Sequence, residues 1–418
     1  MDFPLFHAMK IVYNVVERSS MRMAKERIGI MGGTFNPVHL GHIRMAKYAM
    51  QSADLDRVLF LPDGTPPHKK DIVSAQHRWR MVCVATCAEK GLVPSDMEIT
   101  REGTTYTIDT LHVLHDQFPK ADFYFIIGAD TVMQLHSWKN IEQVFPLCTF
   151  LVAPRILSVS SRDYLNEKRR LIALGASIEN IDMPILDVSS TDIRSQLLEG
   201  SPSPLFPVTL QEYCEAVGLY HLPRRIPQAE EWFNKLFASL TVKRFSHTLA
   251  VASTARKLAR NHGVDPLKAE IAAILHDCAK CMPLSEMQSI CRDHALTLDA
   301  LTLASDNLLH SIAGSYLAAT EYGVQDPDIL RAISCHTTGK VGMTKLDMVV
   351  FLADKIEPTR EDYPTLQKVR MLAPLSLERA MLASLEGTAA FVKSGSHPLH
   401  PQSMRTIEWL KTLPEVRA

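Results

Sequence analysis

Residues 30 to 42, Ile-Met-Gly-Gly-Thr-Phe-Asn-Pro-Val-His-Leu-Gly-His, constrain the fold more than any other stretch of this chain. An apolar run ends on two glycines, turns, and presents His39 and His42 three residues apart, a spacing that puts both on one face of a starting helix. Gly32 and Gly33 let the backbone approach a ligand closely, Asn36-Pro37 favours a turn, and a helix N-terminus offers unpaired N–H groups to an anion. The ordered string, ending in His-x-Gly-His, asks for a nucleotide phosphate at a strand-turn-helix junction.

The rest of the first half supplies a scaffold for that junction. Arg27 to Met31, Arg57 to Leu61, Asp122 to Ile127 and Thr149 to Ala153 read as buried strands, with helix-period apolar residues between them. Such alternation predicts a parallel sheet covered by helices, an α/β Rossmann-like arrangement. Ligands on these sheets sit at the carboxyl ends of the strands, where Gly32, Pro62, Gly128-Ala129-Asp130 and Pro154 fall.

Further strings carry a family resemblance. Phe60-Leu61-Pro62 with Pro67-His68-Lys69, Thr105 to Leu111 (Thr-Tyr-Thr-Ile-Asp-Thr-Leu), Ile127-Gly128-Ala129-Asp130 with Trp138, and Ser189-Ser190-Thr191-Asp192-Ile193-Arg194 follow in order. Together with residues 30 to 42 they resemble nicotinate-mononucleotide adenylyltransferases over residues 27 to 221. One departure is Asn36, where that family commonly carries Asp; it keeps an oxygen acceptor for the turn and loses a charge.

The resemblance implies attack of the 5′-phosphate of nicotinate mononucleotide on the α-phosphorus of ATP, releasing pyrophosphate. Such a step needs alignment and charge neutralisation more than covalent chemistry. It assigns His39, His42 and Arg194 to catalysis on the ATP phosphates, with Ser190 and Thr191 as the N-cap of a phosphate-binding helix. Gly32, Gly33, Thr34, Phe35, Lys69, Gly128 and Asp130 complete the substrate-binding set. Trp138 stacks on the pyridine ring, and Thr105, Tyr106 and Thr107 donate to its carboxylate. Magnesium enters with ATP. Arg78 is a further candidate phosphate contact.

Proline and arginine punctuate the end of this half. Leu222 to Gln228, containing Pro223-Arg224-Arg225-Ile226-Pro227, reads as a linker between residues 27–221 and 229–418, and residues 1–26 read as an N-terminal extension in which Met21 or Met23 is an alternative start. A chain of 418 residues suits two domains of about 200 each. With 45 basic against 46 acidic side chains, no global field favours nucleic acid. No apolar run is long enough for a membrane span, and the eight cysteines lie outside framework spacings, which fits a reducing cytoplasm. Oligomeric state is left open, a homodimer included.

From Glu230 onward the patterns are helical, with Asp265-Pro266 and Asp326-Pro327 as helix starts, so the second domain is expected to be all-α. Along it lie His247, His276-Asp277, His310, His336 and Asp354. Adjacent His and Asp after the apolar run Ile271 to Leu275 would bury charge uncompensated unless a metal offsets it. Nitrogen and oxygen ligands without thiolates suit a divalent transition metal such as iron or manganese, iron being the first expectation, and six ligands suffice for two ions.

Arg244-Phe245-Ser246-His247-Thr248, Leu275-His276-Asp277 with Ala279-Lys280, Leu309-His310-Ser311, Cys335-His336-Thr337-Thr338-Gly339 and Phe351 to Pro358 resemble HD-domain phosphohydrolases of the YqeK type over residues 229 to 390. This resemblance implies symmetrical cleavage of diadenosine tetraphosphate to two ADP, with Asp277 in a catalytic role and Lys280 and Arg360 neutralising the phosphate chain. The expected whole is a bifunctional enzyme whose halves act independently. Other readings are a phosphorylated acceptor such as phosphopantetheine for the first half, and for the second a nucleotide-sensing module or hydrolysis of another nucleotide. Cys278-x-x-Cys281 lacks a second thiol pair and is read as incidental.

Overall fold

A computed structural model describes residues 25–64, 72–155, 160–201, 203–394 and 399–417. Most of the 1–26 extension and Lys69 lie outside these residues. The first half runs β1 (Arg27–Gly33), α1 (Leu40–Ser52), β2 (Arg57–Pro62), α2 (Ala75–Thr86), β3 (Leu92–Pro94), α3 (Thr107–Gln117), β4 (Asp122–Gly128), α4 (Ala129–Val132), α5 (Ile141–Val144), β5 (Thr149–Ala153), α6 (Ser161–Ala173), β6 (Ser177–Asn180), α7 (Ser190–Leu198) and α8 (Val208–Val217). All strands are parallel, in the order β3-β2-β1-β4-β5-β6. The central strands are buried on both faces, which is why they read as continuous apolar runs. The edge strands are different: β3 has three residues, and β6 is Ser-Ile-Glu-Asn, so neither shows an apolar run.

The second half is helical throughout its described residues: α9 (Ala229–Ser239), α10 (Val242–Asn261), α11 (Pro266–Leu275), α12 (Leu284–Asp293), α13 (Ala300–Leu303), α14 (Asp306–Thr320), α15 (Pro327–Cys335), α16 (Lys345–Ile356), α17 (Pro364–Leu372), α18 (Leu377–Ser394), α19 (Pro401–Leu410) and α20 (Pro414–Arg417). Asp265 and Asp326 cap α11 and α15, each ahead of a proline at the first helical position. No described helix is long and apolar enough to cross a membrane.

The two halves share one core. On one face of the sheet Ile28, Ile30, Phe125 and Phe150 pack with α3. From the other face a continuous cluster runs through Phe60, Met81, Tyr213 and Phe233 to Phe245 and Phe351. Tyr213 of α8 stacks on Phe233 of α9 at 5.3 Å between ring centroids. The proline-and-arginine segment takes part: Ile226 is buried, and Arg225 enters a charge cluster between the halves. Arg225 meets Glu212 at 2.6 Å and Glu270 at 2.8 Å and also pairs with Glu215, while Arg256 of α10 meets Glu212 at 2.8 Å.

Candidate functional site

A cavity of about 1250 Å³ opens at the carboxyl ends of β1, β4 and β5. Its walls include Gly32, Gly33, Thr34, Phe35, His39, His42, Thr105, Tyr106, Thr107, Gly128, Asp130, Trp138, Ser190, Thr191 and Arg194. Every candidate of the first half that falls within the described residues, Arg78 excepted, therefore faces one space.

Local chemistry sets the histidine pair. His39 is the N-cap of α1, and its N–H donates to His42 Nδ1 at 3.2 Å, so the two imidazoles lie 3.8 Å apart. Gly41 makes this possible: a Cβ there would stand 2.7 Å from Val188 and 2.8 Å from His39 Nδ1. The Nδ1 of His39 is buried and has no hydrogen-bond partner among the described residues. Burial, helped by the charge of Arg155, pushes His39 down to about 4, and His42 also falls well below the usual histidine range.

The second helix at the cavity, α7, starts one residue earlier than expected. Ser189, in extended conformation, is the N-cap of α7: its hydroxyl accepts from Asp192 N–H, and the Asp192 carboxylate accepts from Ser189 N–H. Ser190 and Thr191 are thus the first two helical residues rather than the cap, and both line the cavity. The Ser190 hydroxyl instead donates to Pro37 O at 2.9 Å, and Arg194 donates to Asn36 O at 2.8 Å, joining α7 to the turn after β1. Asn36 Oδ1 accepts from Val73 N–H at 3.3 Å, the acceptor role that the Asn-for-Asp exchange preserves.

Arg78 is not a phosphate contact. It is 1 % exposed and its guanidinium is spent on Thr34 O, Asp63 O, the Asp63 carboxylate and Gly64 O. It clamps the β1 and β2 loops together from α2.

Two cations in the cavity wall escaped the sequence reading. Arg155, two residues past the end of β5, pairs with Asp130 at 2.9 Å; the strand-end rule that singled out Pro154 would have reached it. Lys139 lies 3.9 Å from the centre of the Tyr106 ring, beside Trp138, which packs edge-on against Phe125 and Phe150.

In the second half, six ligands predicted from distant positions meet. His247 comes from α10, His276 and Asp277 from the end of α11, His310 from α14, His336 from the end of α15 and Asp354 from α16. His247 Nε2 is 3.0 Å from Asp354 Oδ1, and His310 Nε2 is 3.1 Å from Asp277 Oδ1. His276 Nε2, fully buried, lies 3.3 Å from Asp277 and 3.8 Å from Asp354 with no hydrogen-bond partner among the described residues. Two groups have donor atoms all within 4.8 Å of one another: His247, His276 and Asp354, and His276, Asp277 and His336.

This set fits a divalent metal. Nitrogen and oxygen donors converge, an orphaned buried Nε2 points inward, and three rings are locked by Nδ1 contacts to main-chain carbonyls: His276 to Ala273, His310 to Asp306 and His336 to Ile333. Burial would raise Asp277, yet His276, His310 and His336 overcome it and hold the carboxyl well below its usual range. Around the centre stand Arg244, 2.8 Å from Asp277, Arg360, 2.7 Å from Asp354, and Lys280, 3.0 Å from Asn307. Cys278 is buried against Gly314 O and Cys281 is exposed; all eight cysteines are free.

Sequence comparison finds relatives for both halves. Residues 30–196 match the cytidylyltransferase-like family and residues 244–359 the HD domain. A probable nicotinate-nucleotide adenylyltransferase of Desulfitobacterium hafniense is 39 % identical over 201 residues, 47 % of this chain and 97 % of that protein. The chain belongs to the nicotinate-nucleotide adenylyltransferase family. As an adenylyltransferase of NAD biosynthesis it also carries an HD domain, and that domain implies a divalent metal at the cluster just described. A Mycoplasma genitalium protein named as a probable nicotinate-nucleotide adenylyltransferase/Ap4A hydrolase is 29 % identical over 375 residues, 88 % of this chain and 99 % of that one. A solved Clostridium acetobutylicum protein, described as a predicted HD superfamily hydrolase involved in NAD metabolism, is 34 % identical, covering 44 % of this chain and 96 % of its own, with a TM-score of 0.43.

Proposed function

We propose that the chain is a bifunctional enzyme, with an adenylyltransferase in residues 27–221 and a diadenosine tetraphosphate hydrolase in residues 229–418, joined by residues 222–228. In the first reaction a phosphate oxygen of nicotinate mononucleotide bonds to the α-phosphorus of ATP while the bond to the β-phosphate oxygen breaks. The products are deamido-NAD and pyrophosphate. His39, His42, the N-terminus of α7 and Arg194 hold the triphosphate and meet the charge that shifts to the leaving group. Gly32, Gly33, Thr34 and Phe35 shape the floor, and Gly128 and Asp130 flank the acceptor. Trp138 stacks on the pyridine ring, with the Thr105–Thr107 segment and Lys139 on the side that takes its carboxylate. Lys69 is assigned to this site on the family resemblance alone. Magnesium enters bound to ATP.

The second reaction splits the central phosphoanhydride with one water to give two ADP. His247, His276, Asp277, His310, His336 and Asp354 would hold divalent metal, for which we propose iron at two positions. Such a metal would supply Lewis-acid activation of the attacking water and charge neutralisation for the leaving phosphate. Arg244, Lys280, Lys355 and Arg360 ring that centre with positive charge suited to a polyphosphate, and Asp277, shared by three histidines, orients the centre. The observation that carries this reading is the pair of buried His/Asp groups sharing His276. The deciding experiment is turnover of diadenosine tetraphosphate by the intact chain, with products separated chromatographically, beside a His276→Ala, Asp277→Ala variant. Two ADP per substrate, absent in the variant, is the expected result. Tight binding without turnover in the metal-loaded protein would replace the hydrolase by a nucleotide-sensing module.

A further inference from the structure

Four histidines aim Nε2 at the metal centre, but they are not held alike. Three give Nδ1 to main-chain carbonyls, at 2.6 Å for His276, 3.0 Å for His310 and 2.7 Å for His336. His247 alone gives Nδ1 to a carboxylate, Glu357 Oε1, at 3.0 Å. Its side chain is also the most accessible of the four, at 11 % against 0–3 %.

Glu357 is built for this contact. It is 1 % exposed, follows α16 directly and lies three residues beyond Asp354, so carboxylate and metal ligand leave the same end of one helix. Thr359 fixes its far side: the Thr359 N–H donates to Oε2 at 2.6 Å and the hydroxyl lies 2.9 Å from Oε1 and 2.8 Å from Oε2. Arg370 donates to the Glu357 main-chain carbonyl at 2.9 Å, securing the turn. A buried carboxylate on the distal nitrogen of an imidazole fixes its tautomer and orientation and strengthens it as a ligand, more than a neutral carbonyl does. His247 belongs to only one of the two ligand groups, the one with His276 and Asp354.

We propose that Glu357 is a positioning residue for His247, and that it makes the His247–His276–Asp354 side of the centre the tighter of two metal subsites. The proposal rests on the reading of this cluster as a metal centre, and it is independent of which nucleotide is hydrolysed. The test uses the full-length chain loaded with manganese and dialysed against graded concentrations of a chelator, with manganese per chain read by mass spectrometry. The wild-type protein is expected to release two ions at separate chelator concentrations. In Glu357→Ala the later release should move to 10–100-fold weaker affinity while the earlier one stays within threefold. Glu357→Gln, which keeps an acceptor oxygen but not the charge, should fall between the two. The adenylyltransferase rate of the same samples reports whether each variant is folded.

Equal weakening of both ions, or no change in a folded variant, would overturn the proposal, because a merely structural role would not select one ion. A wild-type chain that holds a single ion would overturn the two-subsite part of the proposal, and an unchanged affinity for that ion in Glu357→Ala would overturn the positioning role as well. Failure of the wild-type chain to hold manganese at all would overturn the metal-centre reading itself, a result distinct from an unaltered Glu357 variant.

Discussion

Replacing Arg225 by alanine would test whether the segment between the halves is a tether or a structural wedge. Arg225 serves Glu212 and Glu270, each 1 % exposed, as well as Glu215. Removing one partner of a buried ion pair costs about 3–5 kcal/mol when the stranded charge has no alternative. Here alternatives exist: Arg256 stays 2.8 Å from Glu212, and burial, opposed by Arg225 and Arg256, already pushes Glu212 up to about 7. Without Arg225 the Glu212 carboxyl rises further and takes a proton, at about 1.4 kcal/mol per unit of pKa. A carboxyl raised in the folded state loses stability as pH rises through its folded value, so the penalty of the variant must grow above pH 7. Near pH 6, with Glu212 protonated in both proteins, about 1 kcal/mol should remain; at pH 8.5 about 3 kcal/mol is expected. Urea unfolding followed by tryptophan fluorescence reads this directly, since Trp232 is buried in the shared core. A penalty below about 0.5 kcal/mol at pH 8.5, or one that shrinks with pH, would refute the reasoning.

Two further outcomes follow from the first site. Gly41→Ala should lower adenylyltransferase kcat/KM for ATP at least tenfold, because the added methyl cannot coexist with the His39 ring at 2.8 Å, while manganese content of the HD centre stays unchanged; steady-state kinetics with unaltered activity would contradict this. His39, lowered to about 4 by burial and Arg155, stays neutral when folded, so its contribution to stability is complete above about pH 6.5 and lost as pH falls toward 4, up to roughly 3 kcal/mol; a His39→Gln variant should show a flatter acid limb than wild type, and parallel limbs would exclude the effect.

Short strings at strand ends and helix starts were legible because their chemistry is local. The Gly-Gly turn, His-x-Gly-His, Gly128-Ala129-Asp130 and Ser190-Thr191-Arg194 each sit where a parallel sheet delivers them, and they meet in one cavity. The convergence of the six His and Asp residues was legible for a different reason: a His-Asp pair after an apolar run has a desolvation cost that a shared polar centre offsets. Less visible were features set by partners far along the chain. Whether Arg78 touches a phosphate or a loop depends on Asp63 and Gly64, and nothing around residue 78 distinguishes them. The cap of α7 was misplaced by one residue because three hydroxyl residues in a row all suit a cap, and only Asp192 at the third helical position selects Ser189. Arg225 lay in a segment whose prolines signalled a linker, while its acceptors Glu212 and Glu270 are 13 and 45 residues away.

That segment decides how the two halves should be regarded. Family relatives of about half this length carry the adenylyltransferase alone, and the expectation of independent halves follows naturally from them. In this chain, however, α2 faces both ways. Arg78 holds the loops of the nucleotide cavity, while its neighbours His77 and Arg80 bond the Tyr213 hydroxyl at 2.7 and 3.3 Å, and Arg80 reaches Asn234 of α9. Tyr213 in turn stacks between the halves, within a core that continues to Phe351 on the helix bearing Asp354. A cut near Pro223 would expose the apolar face of α8 and strand Glu212 and Glu270, a combination that favours aggregation over a free-standing domain. Contact of this kind supplies rigidity rather than a signal, since coupling between sites needs an element with two arrangements that both ligands bias. The joined architecture therefore holds the nucleotide cavity and the His/Asp cluster on one folding unit without requiring either to regulate the other.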